Sequence, residues 1–239
     1  MVMKQPQPSS DILIGLPTYN ERPNVSGLVG RIRSLLPAAD ILFIDDGSPD
    51  GTGAELERIA GRETGVHVIH RPSRLGVGSA HQAAIRFAYR HGYRLLITMD
   101  ADGTHDPEDI NRLVEQADAS AVVVGSRFLP AASDRRRRLD TFQSRLVHRL
   151  TTRLLNMPAD MSNAFRLYRL DKINPEIFAA CRSAGYAFFP ESLYCLHRAG
   201  FTVSEVPVRL APRQAGKSKK RARDVGEWLF RLACLRGRI

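Results

Sequence analysis

The sequence predicts an α/β fold with a mostly parallel central sheet and helices on both of its faces. Three observations predict it. Short apolar segments recur along the first half of the chain, segments of helical length separate them, and polar or glycine-rich residues follow the apolar segments directly. Continuous apolar runs are typical of strands that are buried on both faces of a parallel sheet. In such a sheet, ligands bind at the carboxyl ends of the strands.

The predicted elements alternate along the first half of the chain. We expect strands at residues 11–16, 41–44, 66–69, 95–99 and 121–124, and helices at 22–36, 54–60, 79–90 and 107–116. Two helix starts carry their own signals. Asp106 before Pro107 indicates an N-cap followed by proline at the first helical position. Thr52 with Glu55 fits a capping box at the start of the second helix.

The composition indicates an ordinary globular protein. Of its 239 residues, 43% are hydrophobic and 25% are charged, which is typical of soluble domains. We expect a disordered lead over residues 1–10, one domain over 11–220 and a basic amphipathic helix over 221–239. Cys181, Cys195 and Cys234 are too scattered along the chain for a zinc site or a redox pair, which suggests a reducing compartment. No run of eighteen apolar residues occurs, so we expect no membrane span and a cytoplasmic location.

Charge is distributed unevenly along the chain. Residues 1–126 hold 12 Lys and Arg against 16 Asp and Glu, a net charge of −4, whereas residues 127–239 hold 23 against 9, a net charge of +14. The basic half implies an anionic partner, either a phosphorylated substrate or an anionic lipid surface. It lacks the interleaved aromatic residues that stack on single-stranded bases, so we expect no nucleic acid partner.

Two aspartates at the end of the fourth predicted strand are the clearest candidates for metal ligands. Asp100 and Asp102 follow the apolar run 95–99 at a spacing of two residues. Alternate residues of an extended segment point to the same side, so both carboxylates can reach one hard cation such as Mg²⁺ or Mn²⁺. A metal held in this way keeps positions open for the phosphates of a nucleotide. The alternative, which the pair alone leaves open, is that it caps a turn and starts the next helix.

Two further loops carry polar residues at predicted strand ends. Residues 17–21 combine a proline, an aromatic ring and a carboxylate, which could grip a nucleobase; the alternative is a plain turn in which Asn20 caps the next helix. Residues 45–52 contain two glycines that allow tight turning and close backbone approach. Within them, Asp46 could accept a hydrogen bond from a ribose or a base, and Asp50 is expected to brace the turn.

One glycine-rich segment imitates a dinucleotide-binding fingerprint. It contains Gly76 and Gly78, but His81 stands where the third glycine belongs. No predicted strand leads directly into the segment, as that fingerprint requires. We therefore exclude a Rossmann-type site there.

Taken together, these motifs resemble glycosyltransferase family 2. The matching segments are residues 17–21, 45–52, 74–76, 100–102, 125–127, 144, 165–168, 205–207 and 213–219. More narrowly, the pattern is similar to that of dolichyl-phosphate mannose synthases and polyprenyl-phosphate glycosyltransferases. The resemblance spans residues 11–220 and implies a single GT-A domain, a divalent metal, a nucleotide-sugar donor and inversion at the transferred sugar carbon.

The resemblance also implies roles for individual residues on the donor side. Five residues match positions around the base and ribose of the donor: Pro17, Tyr19, Glu21, Ile44 and Asp46. Asp100 and Asp102 match the positions that hold the metal and the diphosphate, with the backbone of Ala101 alongside. Arg213 and Lys219 match a basic loop that closes over the diphosphate. With Asp102 and the acceptor-side Arg127, these two cations form the implied catalytic set.

On the acceptor side, the resemblance implies a phosphate-binding group and one carboxylate. Arg127, Arg138 and Ser144 match positions that bind the phosphate of the acceptor. Because residues 135–138 are four consecutive arginines, any one of them can occupy the aligned position. Glu191 matches a carboxylate that lies near the acceptor.

The sequence therefore predicts transfer of a hexose, mannose from GDP-mannose in the first instance, onto a polyprenyl phosphate. A phosphate acceptor is already anionic at neutral pH, whereas a hydroxyl acceptor requires a general base, for which Glu191 or Asp102 would be the candidates. The first alternative is a family member that uses UDP-glucose or another donor with a soluble hydroxyl or amine acceptor. The second is a non-catalytic member that binds a nucleotide sugar, and the intact acidic and cationic positions argue against it.

Two segments depart from the family pattern. Gly103, Thr104 and His105 follow the aspartate pair, where relatives often carry leucine and then serine or glutamine. This change bears on the candidate metal site. Asn163 and Ala164 stand where relatives usually have a glycine, and that change bears on the acceptor pocket.

Two basic amphipathic segments indicate a surface contact. Residues 139–155 place a stripe of leucines beside a stripe of arginines, and residues 225–238 combine Trp228 and leucines with further arginines. Such segments suit an anionic membrane surface or a membrane-anchoring subunit, which would make the protein peripheral to the membrane. The alternative is that each apolar face packs on the domain.

Overall fold

A seven-stranded sheet organises the chain. The computed structural model describes residues 10–134, 145–146, 148–150, 152–153, 157 and 160–213. Its strands are β1 (Ile12–Thr18), β2 (Asp40–Asp45), β3 (Val66–His70), β4 (Leu95–Thr98), β5 (Val122–Ser126), β6 (Ser133–Asp134), β7 (Arg166–Arg169), β8 (Val203–Pro207) and β9 (Arg209–Leu210). The order across the sheet is β3-β2-β1-β4-β7-β5-β8, and β6 pairs with β9 separately.

Helices cover the sheet. They are α1 (Arg22–Leu35), α2 (Thr52–Ala60), α3 (Val77–His91), α4 (Ile110–Glu115), α5 (Glu176–Ala179) and α6 (Phe188–Arg198). The predicted helix at 107–116 begins as a 3₁₀ turn over Pro107–Asp109 before it becomes α4. Its predicted N-cap is confirmed, because the carboxylate of Asp106 accepts a hydrogen bond from the N–H of Glu108 at 3.2 Å.

The prediction of a mostly parallel sheet is confirmed, with one antiparallel strand inserted. β1 pairs in parallel with β2 and β4, β2 with β3, and β5 with β8, whereas β7 runs antiparallel to both β4 and β5. Thr98 of β4 and Val124 of β5 both align with Arg166, the first residue of β7. The loop before β7 therefore reaches the edge of the sheet where β4 and β5 end, which we call the carboxyl edge.

Both faces of the sheet are buried, which explains the continuous apolar runs. In β2, Leu42 and Ile44 pack in the cluster that includes α3 and α6, whereas Ile41 and Phe43 pack in the cluster that includes α1, α2 and α4. All four side chains are fully buried. Successive strand residues point to opposite faces, so only an unbroken apolar segment can satisfy both.

The predicted capping box at α2 is wrong. The N-cap is Gly51 in the left-handed conformation at φ 85°, and Thr52 is the first helical residue. The hydroxyl of Thr52 instead donates to Asp50 at 2.6 Å and accepts the main-chain N–H of Glu21 at 3.0 Å. Asp50 therefore braces the turn as predicted, and Thr52 ties the β1 loop to the β2 loop, while Glu55 pairs with a neighbouring arginine of the same helix.

Gly76 and Gly78 serve helix packing. A Cβ at Gly78 would lie 2.5 Å from the carbonyl oxygen of Gly185 and 2.5 Å from the Cβ of Phe188. A Cβ at Gly76 would lie 2.5 Å from the carbonyl oxygen of Ala184. The two glycines let the start of α3 pack directly against the chain that leads into α6.

Candidate active site

The two predicted metal ligands lie in a tight loop after β4, the aspartate loop (residues 100–105). The side chain of Asp100 is 38% exposed and that of Asp102 is 6% exposed. The main-chain N–H of Asp100 donates to Nδ1 of His105 at 3.0 Å, and the N–H of Thr104 donates to Oδ1 of Asp102 at 2.9 Å. Asp102 thus braces a turn, as the alternative interpretation had it, and Asp100 is the more accessible carboxylate.

Arg213 joins the aspartate loop to the loop after β1. Its guanidinium lies 2.6 Å from Oδ2 of Asp102 and 3.5 Å from Oε1 of Glu21. Burial acts to raise the pKa of Asp102, but the hydrogen bonds from Thr104 and the positive charge of Arg213 outweigh it and hold that pKa below its ordinary value. The structure therefore brings together three residues that the sequence analysis assigned to the donor site.

The chain that carries Arg213 is anchored on the aspartate loop itself. The N–H of Ala211 donates to the carbonyl oxygen of Thr104 at 3.0 Å, and Leu210 forms an antiparallel bridge with His105. The N–H of Arg209 donates to the buried carboxylate of Asp109 at 2.7 Å. The position of the arginine therefore depends on the conformation of the loop that it faces.

A second buried ion pair lies beneath the loop after β2. The carboxylate of Asp46 pairs with the guanidinium of Arg71, which also donates to the hydroxyl of Ser79 at 2.7 Å. The guanidinium carbon of Arg74 lies 5.2 Å from the ring centroid of Tyr19. The sequence analysis named Asp46 and Tyr19 but missed Arg71, because nothing in its spacing distinguishes it from a surface arginine.

The remaining predicted donor-side residues occupy supporting positions. Pro17 is half-buried near the end of β1. Ile44 and Ala101 are buried, and their side chains pack in the hydrophobic core. Asn20 does not cap α1, since the N-cap of that helix is Glu21, whose own side chain makes no capping hydrogen bond. Asn20 instead has a left-handed φ of 57° and donates its N–H to the hydroxyl of Ser48 at 2.9 Å.

The candidate acceptor arginine is held by a buried carboxylate. Nε of Arg127 donates to Asp160 at 2.8 Å, and its terminal nitrogen donates to Asp160 at 3.3 Å and to Ser162 at 2.8 Å. Burial acts to raise the pKa of the fully buried Asp160, but Arg127 and Ser162 outweigh it and lower that pKa. The N–H of Asp160 in turn donates to Glu205 at 2.7 Å, and burial raises the pKa of Glu205.

Arg166 shapes the segment that presents Asp160, which we call the β7 loop (residues 160–165). Its side chain is fully buried. It donates to the carbonyl oxygen of Asn163 at 2.8 Å, to that of Met161 at 2.9 Å and to the hydroxyl of Ser192 at 3.2 Å. Sequence reasoning missed both Asp160 and this function of Arg166, although the short polar turn before the strand was a signal for the first.

Glu191 braces a loop. It lies in α6 and is 4% exposed, and its two oxygens accept the main-chain N–H groups of Arg182 at 3.1 Å and Ser183 at 2.8 Å. Cys181 and Cys195 are both free cysteines, and their thiols are in hydrogen-bonding contact. That contact and burial raise the pKa of Cys181.

Three predicted site residues, Arg138, Ser144 and Lys219, lie outside the described residues. So do the predicted N-terminal lead, apart from residue 10, and the C-terminal amphipathic segment 225–238. Of the segment 139–155, the structure describes residues 145–146, 148–150 and 152–153. Among the described residues, no helix is both long and apolar enough to cross a membrane.

A mostly parallel sheet with an acidic loop at its carboxyl edge is the architecture of GT-A glycosyltransferases, and comparisons with known proteins agree. The chain belongs to the family described as glycosyl transferase family 2, whose model matches residues 13–178. It is 37% identical to polyprenol monophosphomannose synthase of Mycolicibacterium smegmatis over 98% of this chain and 90% of that protein. It is 35% identical to undecaprenyl-phosphate mannosyltransferase of Micrococcus luteus over 90% of each chain.

Solved structures share the fold at low sequence identity. The S. aureus TarS fragment 1–349 in complex with UDP-GlcNAc gives a TM-score of 0.60 at 14% identity, over 94% of this chain and 66% of that one. The mannosyltransferase PcManGT of Pyrobaculum calidifontis, in complex with GDP-Man and Mn²⁺, gives 0.57 at 16% identity, over 89% and 60%. These structures confirm the expected GT-A fold. The family and the two relatives confirm the expectation of a glycosyltransferase.

Proposed function

We propose that this protein transfers a mannosyl group from GDP-mannose to a polyprenyl phosphate, with Mg²⁺ or Mn²⁺ as cofactor. The observation that carries the proposal is an arginine, Arg127, held by a buried carboxylate at the same edge of the sheet as the Asp100–Asp102 pair. Two relatives at 35–37% identity, which align along nearly the whole chain, bear names that specify mannosyl transfer to a polyprenyl phosphate. The pair of aspartates suits the diphosphate of the donor in such a reaction, and Arg127 suits the phosphate of the acceptor.

The two carboxylates of Asp100 and Asp102 fit the ligand preference of a hard divalent cation. Mg²⁺ is commonly held by one or two carboxylates together with substrate phosphates and water. Among the described residues, no group of three or more His, Cys, Asp or Glu side chains could hold a metal without such help. Asp100 and Asp102 would supply the protein ligands, and the bound ion would stabilise the charge that develops on the departing diphosphate.

In this proposal, the side chain of Arg213 contacts two partners in turn. In the structure, its guanidinium lies 2.6 Å from the carboxylate of Asp102 and neutralises it. When the donor arrives, Arg213 moves from the carboxylate to the diphosphate, where its charge opposes that of the leaving group. Electrostatic stabilisation of this kind is usually the largest contribution that a protein makes to such a step.

Arg127 positions the acceptor. Because Asp160 and Ser162 fix its Nε and one terminal nitrogen, the guanidinium is preorganised to meet a phosphate. An oxygen of that phosphate attacks the sugar carbon, the bond from that carbon to the diphosphate breaks, and GDP leaves with the electron pair. The configuration at the sugar carbon inverts, and no proton must be removed from the acceptor.

The position of Glu191 disfavours a soluble hydroxyl acceptor. Such an acceptor requires a general base, and both oxygens of Glu191 already accept main-chain hydrogen bonds. Asp102, the other candidate, has a lowered pKa and an ion pair, which make it a weak base near neutral pH. A phosphate acceptor needs neither residue in that role.

The test is transfer of radiolabelled sugar to a short polyprenyl phosphate. GDP-mannose and UDP-glucose are compared with Mg²⁺, with Mn²⁺ and with EDTA, and Asp102→Asn is compared with Asp171→Asn, a partly exposed acid that pairs with Arg169. Metal-dependent label in the organic phase from GDP-mannose alone, lost only in Asp102→Asn, supports the proposal. Label from UDP-glucose alone refutes the donor, and donor binding without labelled lipid refutes the acceptor.

The proposal includes attachment to an anionic membrane surface through residues 145–153. Leu146 is 51% exposed and Leu150 is 45% exposed, with Arg149 exposed between them. The ring of His148 stacks on Phe128 at 4.0 Å, which docks this segment beside the candidate acceptor arginine. A lipid acceptor would then meet the site from the membrane.

Vesicle co-sedimentation tests this part separately. Replacing Leu146 and Leu150 by serine should weaken binding to vesicles that contain anionic lipid, because it removes exposed apolar area from the contact. Leu75→Ser is the matched control, since Leu75 is 48% exposed but lies in the loop before α3. Equal binding of all three proteins would remove the membrane contact from the proposal.

A further inference from the structure

A buried hydrogen bond joins the aspartate loop to the β7 loop. His105, in the aspartate loop, and Asn163, in the β7 loop, are each 3% exposed. Nε2 of His105 lies 2.9 Å from Oδ1 of Asn163. The aspartate loop and the β7 loop are therefore in direct contact.

The direction of each hydrogen bond in this contact can be assigned. A main-chain N–H can only donate, so Nδ1 of His105 accepts from Asp100 and carries no proton. The proton of the neutral imidazole is then on Nε2 and is donated to Asn163. Oδ1 of Asn163 also accepts the N–H of Phe165 at 3.2 Å, and its amide nitrogen donates to the carbonyl oxygen of Gly125. These partners fix the orientation of the amide as well as the tautomer of the ring.

The chain of hydrogen bonds runs from one half of the site to the other. It begins at the backbone of Asp100, a candidate metal ligand, and ends at Gly125, two residues before Arg127. The ring of His105 is further held by stacking on Phe165, with centroids 5.2 Å apart. Because all its interior members are buried, water cannot substitute for a lost partner, and displacement at one end reaches the other.

We propose that His105 and Asn163 are positioning residues that set the geometry of the metal-binding carboxylates from the acceptor side of the site. This inference rests on the proposed metal dependence, but not on the identity of the sugar or the acceptor. Groups that orient metal ligands without touching the metal commonly contribute about 10- to 100-fold to metal affinity or activity. Asn163 contacts neither carboxylate, so an effect on metal binding from that position is not expected of a residue that only fills space.

The test measures Mn²⁺ binding directly, by electron paramagnetic resonance of the free ion, with saturating GDP and, in parallel, UDP. For Asn163→Ala, we expect the Mn²⁺ dissociation constant to rise by at least about tenfold. His105→Asn keeps an acceptor near the Nδ1 position, and His105→Gln keeps a donor near the Nε2 position. Each breaks one half of the chain, so each should weaken Mn²⁺ binding, and combining His105→Gln with Asn163→Ala should add little to the worse single change.

Thr98→Val is the matched control. Its hydroxyl donates to the carbonyl oxygen of Ala164 at 2.7 Å, so it joins the end of β4 to the same β7 loop without belonging to the chain. This change should lower the melting temperature as the others do but leave the Mn²⁺ constant within about threefold of the parent, a limit set by the usual context dependence of single interactions. If Asn163→Ala fails to fold, the two His105 variants carry the comparison.

The outcomes separate this inference from the proposed function. Mn²⁺ binding that is unchanged in the His105 and Asn163 variants, or lowered equally in Thr98→Val, overturns the inference whatever the enzyme transfers. Weakened Mn²⁺ binding in the variants alone upholds it, even if the parent protein transfers no mannose. A parent protein that binds no Mn²⁺ with either nucleotide overturns both the inference and the proposed cofactor.

Discussion

Replacing Arg213 by glutamine should change metal binding and sugar transfer in opposite directions. The guanidinium of Arg213 pairs with the carboxylate of Asp102, so its removal frees a carboxylate for a cation. The same arginine is proposed to face the diphosphate during transfer, so its removal should slow that step. A residue with only a structural function would not give opposite signs.

The size of each effect follows from the geometry. Two unit charges 2.6 Å apart attract by about 6 kcal/mol at an effective dielectric constant of about 20. Arg213 is 25% exposed, so loss of hydration and of side-chain freedom cancels most of this and leaves about 1 kcal/mol. A metal that displaces Arg213 must overcome this net energy, so Arg213→Gln should tighten Mn²⁺ binding about fivefold. Loss of a charge aimed at the leaving group should lower kcat about 100- to 1000-fold.

The assay combines Mn²⁺ titration without nucleotide and steady-state transfer with donor and metal in excess. Arg209→Gln is the matched control, because Arg209 lies on the same segment but its side chain pairs with Asp106, Glu108 and Asp109, away from Asp102. It should change neither quantity by more than about twofold, as expected for an exposed ion pair. Weaker Mn²⁺ binding in Arg213→Gln, or an unchanged kcat, would refute the reasoning.

Three further predictions concern stability and the acceptor. Asp160→Asn should raise the KM for polyprenyl phosphate and destabilise the fold by about 3–5 kcal/mol, because Arg127 loses a buried counter-charge; steady-state kinetics and urea unfolding measure the two effects. The pKa of Asp160 is lowered in the folded state, so its contribution to stability is present above about pH 3.9 and is lost as the pH falls through the folded-state pKa. Between pH 7 and the acid limit, the melting temperature of Asp160→Asn should therefore fall less steeply than that of the parent protein. Identical slopes in the two proteins would contradict the assignment. Gly78→Ala should destabilise the protein by about 1–3 kcal/mol, because the added carbon would lie 2.5 Å from its neighbours. Gly27→Ala, with no atom within 4 Å of the added carbon, should instead stabilise α1 by about 0.5–1 kcal/mol. Thermal unfolding measures both changes.

The sequence predicted the strands β1 to β5 well because burial on both faces leaves a clear trace, but it did not predict β8, which pairs in parallel with β5. The strands β1 to β5 are apolar runs, and the helices between them are amphipathic. The antiparallel strand β7 was missed because Arg166 and Arg169 stand at its ends and resemble a polar surface segment. Both arginines are buried through hydrogen bonds to distant parts of the chain, and sequence reasoning cannot foresee such partners.

The candidate site was predictable where function places charged residues at strand ends. Asp100, Asp102 and Glu21 fall there, and the structure brings them to one edge together with Arg213. The helix caps at Asn20 and Thr52 were misassigned because short polar side chains can cap a helix or cross-link two loops, and local sequence does not distinguish these uses. Arg71 and Asp160 were missed for the complementary reason that each acts through one partner far away in sequence.

The insertion of β7 between β4 and β5 places one reversed strand between the two halves of the candidate site. The segments up to β4 carry the carboxylates, those from β5 onward carry Arg127 and its supports, and a single reversed strand is the seam between them. Two strand spacings, about 10 Å, separate β4 from β5, and β7 fills that interval within the sheet. Substitutions in the loop before β7 should therefore act on both halves at once, because Asn163 of that loop contacts His105 of the aspartate loop. In directed evolution or in the construction of chimaeras, we expect the two loops to be exchanged successfully only as a pair.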